Sequence, residues 1–145
     1  MICVSGAALE GVFAGRGIKQ RLASLRLPAY AIPFWGWGII GGLYYVICFA
    51  VWSRLLLLPS SPARGATFVL LGALMFINAL WNYFFFRACN LRYAYLIGLP
   101  YNALALALFI LLLRLDRTAA WFLLPYMIYL FYANMWGYRV WKLNQ

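Results

Sequence analysis

A bundle of membrane-spanning α-helices is the fold that three features of this sequence predict. Hydrophobic residues make up 68% of the 145 and charged residues only 10%, whereas soluble domains are about half apolar and a quarter charged. The few charges separate apolar runs at least as long as the roughly 20 residues that cross about 30 Å of hydrocarbon. Runs of consecutive Leu, Ala and Phe, as in residues 103–113, lack the alternation of a transmembrane β-strand. The expected class is an all-α integral membrane protein, a five-transmembrane-helix bundle within one domain covering residues 1–145.

The uncharged stretches 27–53, 65–86, 93–113 and 118–138 supply four spans. Residues 1–15 form the first helix of the reading, although they are short for a span and carry Glu10. A signal peptide would put positive charge before the apolar run, and here Arg16 and Lys19 follow it. Gly11 and Gly15, four apart, suit close packing against another helix. The helices are expected at about 2–15, 34–53, 66–86, 93–113 and 118–138. The longest non-helical piece is residues 16–33, where Pro28 and Pro33 favour an extended loop. Pro100 and Pro125 mark a kink or a first turn near the starts of the last two helices.

Twelve Lys and Arg against two acids give a net charge of +10. Scattered between spans, these charges read as topology signals, and no nucleic-acid partner is expected. With five spans, the first and third loops and the C-terminus carry eight basic residues against four on the other side. The bias toward cytoplasmic basic residues places the N-terminus out and the C-terminus in. A bacterial membrane is the expected location.

The chain has no His, and Cys3, Cys48 and Cys89 have no metal-ligand spacing, so zinc sites and His-based acid–base chemistry lack their residues. No metal site and no required cofactor are expected. No Ser or Thr has a His base, so no catalytic residue is assigned and binding is favoured over catalysis. Asp116, between Arg114 and Arg117, reads as a solvated local ion pair. An ionisable Glu10 within a span is a functional hypothesis by default, and a position at the membrane edge explains it equally well.

Asn78, Trp81, Asn82 and Phe85 fall at i, i+3, i+4 and i+7 and share one helix face. Lipid-facing amides are costly, so this face should point inward. Interhelical hydrogen bonding and ligand recognition both fit it. On the last span Tyr126, Tyr129, Ala133 and Trp136 or Gly137 form a second stripe. Gly38, Gly41, Gly42 and Tyr45 leave a surface with room for a backbone or a flat ligand. Together these can line an aromatic cavity with few polar anchors, the general form of a small-molecule site.

Three segments in order resemble the TspO/MBR family, the tryptophan-rich sensory and translocator proteins. Leu25-Arg-Leu-Pro28-Ala-Tyr30-Ala-Ile-Pro33-Phe-Trp35 is similar to the family's first loop, and Ile77-Asn78-Ala-Leu-Trp81-Asn82-Tyr-Phe-Phe85-Phe86 to its third helix. Leu124-Pro125-Tyr126-Met-Ile-Tyr129, running to Val140-Trp141-Lys-Leu-Asn144, is similar to its last helix. The resemblance implies five helices, an intramembrane cavity for porphyrin, haem or other flat hydrophobic ligands, sterols in some members, and often a homodimer, for which Gly72 and Ala73 are the candidate small residues here. By position, Asn78 matches a ligand-bonding Asn, Trp81 a pocket aromatic and Tyr126 the Tyr of a Pro-Tyr pair that opens the last helix. Trp35, Gly41, Asn82, Tyr129 and Ala133 complete the candidate binding residues. Two family tryptophans are replaced, by Gly41 and Tyr129; Tyr30, Ile32 and Gly137 also depart from the pattern. The replacements weigh against the light-dependent porphyrin breakdown reported for some members, while Trp37 or Trp136 can fill part of the vacated space. The segment around Tyr138 lacks the spacing of the sterol-recognition consensus, so no sterol binding is expected from it. Three functions follow: a receptor or sensor, a transporter of tetrapyrroles or other hydrophobic small molecules, and a porphyrin-degrading enzyme.

Overall fold

The computed structural model describes residues 2–145, and every regular element among them is helical. The elements are α1 (Ile2–Ala14), α2 (Ile18–Ala23), α3 (Phe34–Leu56), α4 (Pro62–Asn82), a π-helical turn (Tyr83–Arg87), α5 (Leu91–Leu115) and α6 (Arg117–Leu143). Three helical stretches, Phe34–Leu56, Pro62–Arg87 and Leu91–Leu115, are long and apolar enough to cross a membrane. At 27 residues α6 has the length but is less apolar. With 13 residues α1 extends only roughly 20 Å at 1.5 Å per residue.

The burial pattern suits a membrane. On α3, Tyr44, Cys48, Val51 and Leu55 are buried on one face, while Ile39, Leu43, Val46 and Phe49 are exposed on the other. Large apolar side chains are exposed on α4, α5 and α6 as well, among them Phe76, Leu106 and Phe131. In water such a surface would aggregate; lipid solvates it. Inside, α6 packs between α3 and α5, α5 against α4, and α1 against α4 and α3. The main core joins Leu55, Leu71, Leu108, Leu112 and Leu123, and a second cluster forms around Phe85, Trp136 and Val140.

The helix starts are capped from the sequence. Ser61 Oγ accepts from the Arg64 N–H at 3.1 Å, with Pro62 as the first residue of α4, and Asn90 Oδ1 accepts from the Tyr93 N–H at 3.1 Å. These side chains satisfy amides that have no partner within their own helix. At the other end of α4 the Ala88 N–H bonds the Tyr83 carbonyl at 2.8 Å, closing the π turn, and Cys89 follows at φ 53°. Arg21 reaches the carbonyls of Phe85 and Cys89 at 3.5 and 3.1 Å, placing a cation where helix carbonyls are unsatisfied.

Four sequence expectations are corrected. The stretch 16–33 is not wholly a loop, because α2 occupies part of it. Pro100 and Pro125 lie well inside α5 and α6 and end neither, since packing on both sides holds each helix across the missing amide. So Pro125-Tyr126 does not open the last helix. Gly11 and Gly15 do not form a packing seam: a Cβ at either would meet nothing within 4 Å, and Gly15, at φ +73°, sits just past the end of α1. The close approach falls at Gly6, where a Cβ would stand 2.6 Å from the Met75 Cε.

Asp116 is the fourth. It is buried, not solvated, and its partner is Arg54 at the end of α3, at 2.8 and 3.2 Å. Its Oδ1 also accepts from the N–H groups of Thr118 and Ala119 at 2.9 and 3.2 Å, capping α6. Arg114 and Arg117 adjoin it in sequence, but the fold brings Arg54 to the helix start. The Arg54 guanidinium and then the two amides hold the Asp116 carboxyl below the usual carboxylate range, outweighing its burial. Because the folded state favours the ionised form, the contribution is fully present above the usual range and is lost as pH falls through the lowered value. Asp116→Ala should cost on the order of 1 kcal/mol through the cap alone. Thermal unfolding in detergent checks this: the gap between wild type and variant should close in strong acid.

Candidate functional site: an aromatic cavity with one acid

A cavity of about 390 Å³ lies between the helices, within the size range of small-molecule sites. Side chains from α1 to α6 line it, from Glu10 on α1 and Ile18 and Leu22 on α2 to Trp136 on α6. The wall is mostly aromatic and aliphatic, interrupted by a few amides, hydroxyls and one carboxylate.

Glu10 organises the polar end. Its Oε2 accepts from the Tyr45 hydroxyl at 2.7 Å and from Asn78 Nδ2 at 3.1 Å, and its Oε1 accepts from Asn82 Nδ2 at 2.8 Å. Asn82 Nδ2 also donates to the Asn78 carbonyl at 3.1 Å. The i, i+4 spacing of the two amides puts both on the face of α4 that meets α1, so one carboxylate takes a donor from each. The arrangement ties α1 to α3 and α4 with hydrogen bonds to a charged acceptor, which are stronger than neutral ones.

A second polar group faces it from α5 and α6. Asn102 Nδ2 donates to Asn134 Oδ1 at 2.8 Å and to the Gly98 carbonyl at 2.6 Å, while Asn134 Nδ2 donates to the Leu130 carbonyl at 2.7 Å. The hydroxyls of Tyr101 and Tyr126, each the residue after a helix-internal proline, meet at 2.6 Å. Tyr126 further packs on Tyr44, ring centroids 4.9 Å apart, and on Tyr129 at 5.8 Å. The buried Trp136 indole N–H has no hydrogen-bond acceptor among the described residues.

The chain between α2 and α3 is tied to α6. The Ile32 N–H donates to the Tyr132 hydroxyl at 3.1 Å, and that hydroxyl donates to the Tyr30 carbonyl at 3.3 Å. Nearby, the Asn144 side chain accepts from the Arg26 N–H at 2.9 Å and donates to the Arg26 carbonyl at 3.0 Å.

All eight residues singled out in the sequence lie on this wall: Trp35 and Gly41 from α3, Asn78, Trp81 and Asn82 from α4, and Tyr126, Tyr129 and Ala133 from α6. Phe85, on the same predicted face, is buried instead in the second core cluster, stacked on Trp81 at 4.9 Å. Where the resemblance implies a Trp, a Cβ on Gly41 would meet nothing within 4 Å, so the space there is open. Trp37 and Trp136 pack against each other beside it, centroids 4.7 Å apart. Sequence reasoning missed Asn102, which carries no pattern of its own, and the convergence of Tyr45, Asn78 and Asn82 on Glu10. The ionisable residue within an apolar helix was the available signal for the latter.

The match to a protein family spans this whole architecture. The TspO/MBR family model matches residues 1–142 of the chain. The chain belongs to the TspO/MBR family. No curated protein matches it significantly. As a TspO/MBR protein it is a helical membrane protein of sensor or transporter type.

Glu10→Leu should destabilise the bundle by roughly 1–3 kcal/mol, because three donors lose their common acceptor. Glu10→Gln, which keeps one carbonyl oxygen, should cost less. Unfolding curves of the two variants in the same detergent give the order; equal stability of Glu10→Leu and wild type would remove the carboxylate from the framework of the bundle.

Proposed function

We propose that this protein is a membrane receptor or sensor that holds a porphyrin or similar flat hydrophobic ligand in the aromatic cavity. The observation that carries the reading is convergence: residues from the three family-like segments line one cavity together with the open space at Gly41. A planar ring can lie among Trp35, Trp81, Tyr126 and Tyr129, and the absence of a side chain at Gly41 widens the slot. Family membership supports the same class of ligand. In this reading α1 and α6 join the three long apolar stretches as membrane spans of a single domain in a bacterial membrane, the N-terminus outside and the C-terminus inside. A homodimer is part of the proposal by family resemblance alone.

Transport is the second reading, favoured by the carboxylate on the cavity wall, a group able to carry a proton. Porphyrin degradation has less support, since the two tryptophan positions associated with it hold Gly41 and Tyr129.

Titration of the purified protein in non-ionic detergent with protoporphyrin IX, followed by quenching of Trp fluorescence, tests the receptor reading. Saturable binding is expected. Gly41→Trp should abolish it by filling the slot, while Gly41→Ala, whose methyl enters open space, should leave it intact. Asn78→Ala should weaken it by about 1 kcal/mol. Unchanged binding by Gly41→Trp would place the ligand elsewhere.

A further inference from the structure

We infer that the Glu10 end of the cavity takes a positively charged group on a flat ligand, with Glu10 as its counter-ion, and that acidic groups of a ligand lie turned away from it. The inference rests on the cavity being a ligand site and narrows the class of occupant. Its basis is the distribution of charge. The chain has 12 Lys and Arg and only two acids, yet the cavity wall contains Glu10 and neither a Lys nor an Arg. The other acid, Asp116, is neutralised by Arg54, whereas no Lys or Arg among the described residues pairs with Glu10.

The three donors to Glu10 are a hydroxyl and two amides. They orient the carboxylate and are themselves uncharged. A carboxylate offers about four acceptor directions, and with two bonds on Oε2 and one on Oε1, one direction on Oε1 is open to a further donor. Tyr44 and Trp81 share the wall with Glu10, and their ring faces attract cations. In a low-dielectric, aromatic enclosure both attractions exceed their value in water. A ligand carboxylate brought to the same end would meet Glu10 as a like charge. On α2, Ile18 and Leu22 face the cavity while Lys19 and Arg21 lie outside its wall, Arg21 engaged with carbonyls of the π turn. The wall is therefore selective in sign where Glu10 stands: a protonated amine on an aromatic ring fits there, and an anionic group does not.

Equilibrium dialysis of the full chain in non-ionic detergent near neutral pH, with aminacrine and acridine as probes and protein-free micelles as the blank, tests this. The two share one ring system; aminacrine is protonated under these conditions and acridine is not. Wild type should bind aminacrine about tenfold more tightly, the scale of one charge-assisted hydrogen bond. Glu10→Gln should erase the preference while leaving acridine affinity within about twofold, and Glu10→Asp should keep a preference. Equal affinities in the wild type, a preference for acridine, or a preference that survives in Glu10→Gln would each overturn the inference. Should Glu10→Gln fail to fold, the wild-type ratio decides. If neither probe saturates the wild type, it is the ligand-site reading itself that fails, an outcome distinct from equal binding of both.

Discussion

A carboxylate inside an apolar bundle has to be met by donors, and the contact of α1 with α3 and α4 is arranged around that requirement. Glu10 sits on α1, which at 13 residues is much shorter than the four long helices that enclose the cavity. What holds α1 in register is the set of bonds that Tyr45, Asn78 and Asn82 make to one side chain, supported by the close approach of Met75 to Gly6. Removing charge from water is costly unless hydrogen bonds replace the hydration. The same bonds that meet this cost leave the carboxylate at the edge of a cavity, so framework and recognition share one group.

The opposite end of the bundle solves a similar problem differently. Asp116 meets a full positive charge and two helix amides, and nothing of it faces the cavity. One acid is thereby closed off as a clasp between α3 and α6. The other is met only by neutral donors among the described residues. In a chain with so few acids, this difference in partners separates a structural carboxylate from one available to a ligand.

Much of this was legible in the sequence because lipid imposes simple rules. Span length, charge placement and the inward turn of Asn78, Trp81 and Asn82 follow from the cost of exposing polar groups to hydrocarbon. The glycine at position 41 could be read as space because its neighbours in register, Gly38 and Tyr45, fix which way it faces. What could not be read depended on distant partners. Arg54 and Asp116 are 62 residues apart, and the nearer arginines at 114 and 117 made a local pair the natural expectation. Phe85 keeps the inward direction of its face but packs against Trp81 and Trp136 in the second core cluster and does not line the cavity, a distinction that no periodicity announces. Asn102 stands alone in an apolar run, and only the approach of α6 shows why an amide is there.

The clamp between Asn144 and the backbone of Arg26 links positions 118 residues apart. During synthesis, α1 to α5 can pair and the Glu10 bonds can form before the last helix has left the ribosome. The segment before α3 cannot be fastened until Tyr132 and Asn144 have been made, since both of its anchors belong to α6 and the residue that ends it. The wall of the cavity is likewise completed only by α6, which supplies Tyr126, Tyr129 and Ala133.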